Sequence, residues 1–536
     1  MVTTIINHEK FNNMKRLSTY SKFAALAILI GFSACKKTEL QNNTESIATA
    51  EDMGRDVFGD FNRNLTYYAL TNDNKIDKYS TSIPKRMISS ATVTGLQAEE
   101  SLLAIDFRPA TGQLYGLGSS SRIYVINPTT GAARAIGAGP FTPLLSGSVA
   151  SFDFNPTVDR IRIITNTGQN LRANPETGTI VFVDGPINGQ PGAIISGAAY
   201  TNNFAGTTTT TLYDVDKASN NLYIQNPPNN GTLVLVGSLG LDVEDGEFDI
   251  ANATDALGIF TINNRSNLVA LNLTTGQANV VFTFPTNVSY RGFALATQPV
   301  AYAVDGGNNL LIFNPELYYN ASNVGSIISK AITGMAAGDT IVGIDFRPLN
   351  GQLYALTNTS KIFTLNTASG AAALAGTLST PLSGTSFGFD FNPLVDRIRI
   401  VSNTGQNLRF NPNDGALLVD GSLNPATTGV SAAAYANNFA GTTSTTLFVI
   451  DASSNQLSIV NPPNNGTLVP VGSLQITANG VNGFDIGGTT GMAYALFRGD
   501  NNRTRIFTIN TATGQASGRG ILGTFQVNGL AVGLGF

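Results

Sequence analysis

The sequence FDFNPTVDRIRIITNTGQNLR at residues 152–172 returns as FDFNPLVDRIRIVSNTGQNLR at residues 389–409. A match of this length within one chain indicates that a block of structure has been duplicated, because self-similarity at a fixed period is the signature of repeat architectures. The duplication predicts two copies of one domain, which we place at residues 65–298 and 299–536.

A shorter repeat of about 47 residues lies inside each copy. One unit contains the segments LLAIDFRP (102–109), QLYGLGSS (113–120) and RIYVINPTTG (122–131). Such segments are short, rich in Val, Ile, Tyr and Phe, and bounded by Gly, Asn, Asp or Pro, which is typical of strands joined by hairpins. The pattern predicts an all-β fold, a β-propeller of about ten four-stranded blades in two five-blade repeats.

Two ring arrangements agree with this pattern: two five-bladed propellers, or one ten-bladed ring. The opening segment LTYYALTN (65–72) has the pattern of a second strand, without a first-strand segment before it. The chain finishes with VNGLAVGLGF (527–536), which has the pattern of a first strand. In a single ring these two segments would pair. YRGFALATQ (290–298) has the same pattern at the end of the first copy, so each copy can also close itself. The usual range of four to eight blades favours two rings.

The N-terminal segment is typical of an exported protein. A short positively charged stretch follows Met14, the apolar run 23–32 comes next, and Ser-Ala-Cys ends the segment at Cys35. This order predicts a lipoprotein signal peptide over residues 1–35, with Cys35 as the lipidated residue. Residues 36–64 are polar and predict a tether. We therefore expect a protein anchored by lipid in the bacterial cell envelope, at the outer membrane or cell surface.

Composition excludes several kinds of chemistry. Charged residues are 12% of the chain and the formal net charge is −4, whereas nucleic-acid binding needs clustered bases. His8 is the single histidine and precedes the predicted signal, Cys35 is the single cysteine, and there is no tryptophan. Ser–His–Asp and Cys–His catalysis and zinc sites built from His or Cys are thereby excluded. Carboxylate, Tyr or Lys chemistry and oxygen-liganded cations remain.

The duplicated stretch supplies the candidate ligand-binding residues. They are Asp153, Asn155, Asp159, Arg160, Arg162, Gln169 and Arg172 in the first copy, and Asp390, Asn392, Asp396, Arg397, Arg399, Gln406 and Arg409 in the second. Arginine forks and amides together can hold a carboxylate or a sugar. The alternative interpretation is a structural brace, in which each Arg pairs with an Asp of a neighbouring strand.

Aspartates also recur in the predicted first strands, which line the channel of a propeller. They are Asp106, Asp153, Asp249, Asp345, Asp390 and Asp485. Paired carboxylates suit glycoside hydrolysis, and an oxygen-rich channel can hold Ca²⁺. A third interpretation is that each Asp only accepts hydrogen bonds from backbone amides. We expect no cofactor, with Ca²⁺ as the alternative, and we place the acidic residues 244–247 on a surface loop.

The paired motifs DFRP…GQLY and DFNP…DRIRI…NTGQNLR resemble a bacterial family of exported proteins known only as a domain of unknown function. The resemblance covers residues 65–536, twice over. It implies a propeller-like fold and brings no activity.

These observations favour a cell-envelope lipoprotein with a non-catalytic binding or scaffolding role. The expected partners are the membrane, through the lipid at Cys35, and a glycan or protein ligand, with no nucleic acid. A carboxylate-dependent hydrolase such as a glycosidase and a purely structural envelope protein are the alternatives.

Overall fold

The computed structural model describes residues 64–317, 326–426, 429–478, 483–499 and 502–536. The predicted signal peptide with Cys35 lies outside these residues, and so does the predicted tether apart from Asn64. Within the described ranges the regular structure is almost entirely β-strand, as predicted. These ranges contain no helix that is long and apolar enough to cross a membrane.

Twenty strands belong to the first copy. They are β1 (Thr66–Thr71), β2 (Lys75–Ser80), β3 (Ser89–Thr92), β4 (Leu102–Phe107), β5 (Leu114–Gly118), β6 (Arg122–Ile126), β7 (Ala133–Ile136), β8 (Ala150–Asn155), β9 (Arg160–Thr165), β10 (Asn170–Ala173), β11 (Ile180–Val183), β12 (Ile195–Tyr200), β13 (Leu212–Asp216), β14 (Asn221–Gln225), β15 (Leu233–Ser238), β16 (Asp245–Ile250), β17 (Ala256–Ile262), β18 (Arg265–Leu271), β19 (Ala278–Thr283) and β20 (Tyr290–Leu295). A single 3-10 turn, Pro228–Asn230, joins β14 to β15.

The second copy repeats this order. Its strands are β21 (Ala301–Asp305), β22 (Asn309–Phe313), β23 (Ile328–Ala331), β24 (Ile341–Arg347), β25 (Gln352–Thr357), β26 (Lys361–Leu365), β27 (Ala372–Thr377), β28 (Phe387–Asn392), β29 (Arg397–Ser402), β30 (Asn407–Phe410), β31 (Leu417–Val419), β32 (Val430–Tyr435), β33 (Leu447–Asp451), β34 (Gln456–Val460), β35 (Leu468–Ser473), β36 (Gly483–Ile486), β37 (Ala493–Arg498), β38 (Thr504–Ile509), β39 (Ala516–Gly523) and β40 (Val527–Val532). The matching 3-10 turn is Pro463–Asn465.

The forty strands form ten four-stranded antiparallel sheets. Eight sheets use four consecutive strands. The other two are β20-β1-β2-β3 and β40-β21-β22-β23, in which the last strand of each copy pairs with that copy's first strand. The pairing aligns Tyr68 with Ala294 and Tyr302 with Ala531. The pairing of 527–536 with 65–72, expected for a single ring, is therefore wrong: β40 pairs with β21.

The first strand of each sheet contacts the first strands of its neighbours. In the first copy the contacts run β4 to β8, β12, β16, β20 and back to β4. In the second copy they run β24 to β28, β32, β36, β40 and back to β24. We call these ten the inner strands. They are almost wholly buried, whereas the fourth strands, such as β11 and β27, are largely exposed.

The hydrophobic core lies between neighbouring sheets. One cluster, for example, joins Leu117 and Ile123 of one sheet to Phe152, Ile161 and Leu171 of the next. Each sheet thus buries both of its faces against other sheets. This explains why the strands carry apolar residues almost continuously instead of alternating with polar ones.

An Asn-x-x-x-Gly turn between the third and fourth strands recurs in both copies. In the first example the Asn127 carboxamide accepts hydrogen bonds from the amides of Thr129 and Thr130, and the Gly131 amide donates to the Asn127 carbonyl at 2.8 Å. Gly131 has φ +75°, and a Cβ there would meet the carbonyl oxygen of Thr92 at 2.0 Å. Glycine is required because the turn needs a positive φ and packs directly on the backbone of the preceding sheet.

The two copies contact each other. Arg108 Nη1 donates to the carbonyl of Gly351 at 3.1 Å, and the Tyr302 hydroxyl donates to the carbonyl of Ala110 at 2.9 Å. Near the C-terminus, the Gly535 amide donates to Thr111 at 2.8 Å. These bonds join the β4–β5 connection of the first copy to strand β21, the β24–β25 connection and the C-terminal residues of the second.

Candidate functional site

Three of the five inner strands in each copy carry an aspartate at the same position. The first copy has Asp106, Asp153 and Asp249, and the second has Asp345, Asp390 and Asp485; we call each set an aspartate trio. Within a trio, one carboxylate oxygen of each residue lies within 4.8 Å of the other two, and all six side chains are buried. The sequence placed these six aspartates in the first strands, and the structure brings them together in two groups of three.

Each aspartate also links two inner strands. Asp106 Oδ1 accepts from its neighbour Phe107 at 2.7 Å, and its Oδ2 accepts from Phe154 on the next inner strand at 2.8 Å. Asp153 accepts in the same way from Tyr200, at 3.0 Å. The second copy repeats these bonds, from Phe391 to Asp345 at 2.7 Å and from Tyr435 to Asp390 at 3.0 Å. The trios therefore have the backbone-bonding role that was the third interpretation of the sequence.

The environment of each trio raises the pKa of its carboxyl groups. Burial raises the pKa of Asp106, Asp153, Asp345 and Asp390 well above the ordinary value, and the charge of neighbouring trio members raises it further. Burial likewise raises the pKa of Asp249 to about 6 and that of Asp485 to about 7, although backbone amides oppose the shift. The cause is that carboxylates removed from water and placed side by side cannot all ionise at low cost.

The two copies differ at the position two residues before the third aspartate of the trio. Glu247 precedes Asp249 on β16, so both side chains point to the same side of the strand. Glu247 is 3% exposed, and its Oε1 accepts from the Phe152 amide at 3.2 Å. The expectation that residues 244–247 decorate a surface loop is wrong for Glu247, because the inner strand begins at Asp245. The second copy has Gly483 at this place.

A buried asparagine adjoins the trio in the first copy. Asn203 follows β12 and is 4% exposed; its Nδ2 lies 3.4 Å from Asp249 Oδ1, and its Oδ1 has no hydrogen-bond partner. Asn438 holds the corresponding position after β32, is 1% exposed, and has no partner for either amide atom. Buried amides normally find partners, so two matched exceptions call for an explanation.

The arginines of the duplicated stretch form a second polar network. Arg162 is 2% exposed and donates to four oxygens. These are Asn170 Oδ1 at 2.7 Å, Asp184 Oδ2 at 2.5 Å, Asn229 Oδ1 at 2.8 Å and the Tyr200 hydroxyl at 3.2 Å. Arg399 repeats all four contacts with Asn407, Asp420, Asn464 and Tyr435. Each arginine joins two neighbouring sheets, which is the arrangement of a brace.

A further ion pair engages the aspartate of the DRIRI motif. The Asp159 carboxylate accepts hydrogen bonds from Arg108 Nε at 2.9 Å and from Arg108 Nη2 at 2.5 Å. Arg108 Nη2 also donates to the Glu176 carboxylate at 2.9 Å. In the second copy Arg347 pairs with Asp396 and with Asn413 Oδ1. Here too the predicted site residue links one sheet to the next.

The remaining candidates have local roles. Arg172 makes a two-point ion pair with Asp184 and stacks on the Phe182 ring, 4.0 Å from its centroid. Gln169 holds a preceding loop, donating to the Leu144 carbonyl at 2.9 Å. The rest do likewise: Asn155 and Asn392 cap turns, Arg160 and Arg397 bond nearby carbonyls, Gln406 holds the loop at Pro381, and Arg409 pairs with Asp420.

Sequence reasoning missed several partners of these residues. Asp184, Asp420, Asn203 and Asn438 lie outside the duplicated 21-residue match, although each recurs at the matching place in the other copy. That recurrence is the signal by which they could have been found. Recurrence could not have identified Glu247, because the second copy has no acidic residue at the corresponding position.

A family model described as a domain of unknown function (DUF4394) matches residues 75–294 and again residues 317–531. The two matches confirm the resemblance inferred from the paired motifs. A comparison with curated proteins finds no match.

Solved structures similar to this chain include a nidogen/laminin complex, with 9% identity and a TM-score of 0.27, covering 70% of this chain and 98% of that chain. Another is the extracellular domain of a putative hybrid two-component system from B. thetaiotaomicron. It has 14% identity and a TM-score of 0.23, covering 85% of this chain and 66% of that chain.

Proposed function

We propose that this chain, which belongs to the DUF4394 family of domains of unknown function, is a non-catalytic binding or scaffolding protein built from two five-bladed β-propellers. The observation that carries the proposal is the closed cycle of contacts among five inner strands in each copy. Five blades lie within the usual range for propellers, and pairing the last strand with the first removes the exposed sheet edges.

The chemistry of the polar clusters supports a role without catalysis. The arginines Arg162 and Arg399 are buried and use their donors on partners within the chain. The trio carboxylates are buried and alike in the two copies, whereas glycoside hydrolysis needs two unlike carboxylates on either side of an accessible bond.

The binding surface is best sought on the outer strands. Phe182 and Val183 of β11 and Leu418 and Val419 of β31 are more than half exposed, at matching places in the two copies. Exposed apolar groups that recur in this way favour a protein or glycan partner over a purely structural role.

The location is part of the same proposal. The signal-like segment ending at Cys35 supports export and lipid anchoring in the bacterial cell envelope, at the outer membrane or cell surface. Metabolic labelling with a fatty acid tests it: the natural protein incorporates label, and Cys35→Ala does not. Label retained in the variant would contradict the anchor.

A paired screen tests the role itself. The purified protein is applied to a glycan array and, in parallel, incubated with a polysaccharide panel for release of reducing ends, while chemical crosslinking in the native envelope seeks a protein partner. The proposal predicts a bound glycan or a crosslinked partner without turnover. Sustained hydrolysis would refute the non-catalytic role, and no partner in either search would refute the binding role.

A further inference from the structure

We propose that each copy binds one hard divalent cation, best matched by Ca²⁺, between its aspartate trio and the adjoining asparagine amide. The ligands are Asp106, Asp153, Asp249 and Asn203 in the first copy, and Asp345, Asp390, Asp485 and Asn438 in the second. The site goes beyond the scaffolding role, because a protein can scaffold without binding metal.

The separation of the carboxylates fits a shared ion. One oxygen from each member of a trio lies within 4.8 Å of the others. The centre of an equilateral triangle with that longest side is about 2.8 Å from each corner, and Ca²⁺–oxygen distances are about 2.3–2.6 Å. Movements of a few tenths of an ångström would therefore bring all three oxygens into contact with one Ca²⁺.

The charge of each trio calls for a counterion. Three carboxylates are buried side by side, and the ion pairs found in the described part of the chain engage other acids, such as Asp159, Asp184 and Asp339. Buried carboxylates without a basic partner must either take up protons or bind a cation. Three neighbouring carboxylates supply more negative charge than one divalent ion neutralises.

The asparagines provide an observation that does not depend on the acids. Asn203 places its amide against Asp249, yet its Oδ1 is buried and without a partner. Rotation of the amide by half a turn exchanges Oδ1 and Nδ2 and would direct an oxygen toward the trio. Asn438 has neither atom bonded, so it is free to make the same rotation. A carboxamide oxygen is a common Ca²⁺ ligand, and a bound ion would satisfy it.

The backbone already orients the carboxylates. Asp249 accepts from the amides of Ile250 and Leu295, and Asp485 accepts from those of Ile486 and Val532. Hydrogen bonds of this kind fix the direction of metal-binding carboxylates and limit the entropy lost on binding. Lone pairs not used by these amides remain available to an ion.

Two pockets lie beside the inner strands that carry the second trio. Gly343, Gly388 and Gly483 each precede a trio aspartate by two residues, on the same side of the strand, and they line one pocket together with Gly529. A second, polar pocket includes Ser386, Ser431 and Asn528 on the same strands or immediately before them.

The first copy has different residues beside its trio and a larger negative charge. Ala104, Ser151 and Glu247 stand where the second copy has its three glycines. Glu247 is buried and lies two residues before Asp249 on the same side of β16, so it adds a fourth acid beside the site. Because affinity for Ca²⁺ rises with the number of charged ligands, the first site is expected to bind more tightly.

The donor set selects the class of ion. It contains oxygen alone, since the described residues hold no His or Cys, and oxygen donors suit Ca²⁺, Mg²⁺ and Mn²⁺ rather than zinc or copper. Ca²⁺ accepts six to eight oxygen ligands in a flexible geometry, whereas Mg²⁺ demands a near-ideal octahedron. Ca²⁺ is therefore the probe of choice.

Calorimetric titration of the full, EDTA-treated protein with Ca²⁺ tests the proposal. Two ions per chain are expected. Asp249→Asn and Asp485→Asn should each abolish one site, weakening it at least about 100-fold, and the double variant should bind none. Asp214→Asn removes a buried carboxyl outside both trios and should still bind two.

Thermal unfolding supplies a second readout that exposes misfolding. At a Ca²⁺ concentration a hundred times Kd, Tm should rise by about 5–10 °C relative to EDTA. Each Asn variant loses one of the two carboxylate oxygens that accept backbone amides, so it should melt lower than the natural protein in EDTA, and its affected site should no longer contribute to the rise in Tm with Ca²⁺. If the double variant does not fold, two milder variants replace it in the test. Glu247→Gln should weaken binding at the first site about 10-fold, and Asn438→Ala should weaken binding at the second.

Absence of saturable binding of Ca²⁺, Mg²⁺ or Mn²⁺ by the natural protein would overturn the proposal. So would two-site binding that survives in the double variant. A single site that Asp249→Asn abolishes would overturn the assignment for the second copy. None of these results bears on ligand binding by the outer strands, so the proposed scaffolding role is tested separately.

Discussion

Replacement of Asp214 by Val is expected to stabilise this protein strongly at neutral pH. Asp214 lies in β13 and is fully buried, and neither carboxyl oxygen has a hydrogen-bond partner. Burial raises its pKa to about 8, although the charge of Arg162 opposes the shift. The second copy has Val449 at the corresponding position, also fully buried, so the fold accepts valine there.

The magnitude follows from proton linkage. In the unfolded chain the carboxyl ionises near pH 3.9, so between about pH 4 and pH 8 folding must take up a proton. The contribution of this group to the unfolding free energy is fully present below about pH 4. It falls by about 1.4 kcal/mol per pH unit as the pH rises toward 8. The loss at pH 7 is about 4 kcal/mol, and valine should recover it. The pH-dependent part of the gain should vanish near pH 4.

Urea unfolding followed by circular dichroism at pH 4.5, 6, 7 and 8 measures this effect. The difference in unfolding free energy between Asp214→Val and the natural protein should grow steadily with pH. Val449→Asp is the reciprocal control and should introduce the same pH dependence in the second copy. A difference that stays constant with pH, or a variant less stable at pH 8, would refute the reasoning by showing that Asp214 is ionised and paired in the folded state.

Three other perturbations address the framework. Arg162→Met leaves buried acceptors without a donor and should lower the unfolding free energy by about 3–5 kcal/mol, as should Arg399→Met, in calorimetric melts; a loss below about 1 kcal/mol would contradict the brace. Gly131→Ala should lower the unfolding free energy by about 1–3 kcal/mol in urea. The control Gly139→Ala, whose Cβ meets nothing within 4 Å, should lower it by less than about 0.5 kcal/mol. Equal losses in the two variants would contradict the requirement for glycine in the turn. Deletion of 527–536 removes an inner strand and should abolish the cooperative melt of the second copy, and an unchanged melting profile would contradict this.

Much of the fold could be predicted because its signals are local. Short apolar segments and Asn–Gly turns define strands wherever they occur, and their repetition defines the sheets. Ring closure could not be predicted, since 290–298 and 527–536 carry the same pattern and either could pair with 65–72. The choice depends on which ends meet in space, and in the structure β20 pairs with β1.

The site was predicted in part for a similar reason. The aspartates of the inner strands could be recognised by their recurrence, but their approach to within 4.8 Å depends on the small number of strands around each centre. The roles of Arg162 and Arg399 depend on partners such as Asp184 and Asn229, which neighbouring sheets supply. The side chains of the duplicated stretch link their sheet to both of its neighbours.

Disulfide trapping tests most directly that each copy closes its own ring. With Cys35 replaced by Ser, cysteine pairs are introduced at Ala69 with Phe293 and at Ala303 with Leu530, which are aligned partners in β1–β20 and β21–β40. Partners on antiparallel strands lie about 4.5–5.5 Å apart at Cα, within disulfide range. Both pairs should crosslink within the chain, and Ala69→Cys with Leu530→Cys should not. Crosslinking of that last pair, without the first two, would establish a single ring and contradict the account.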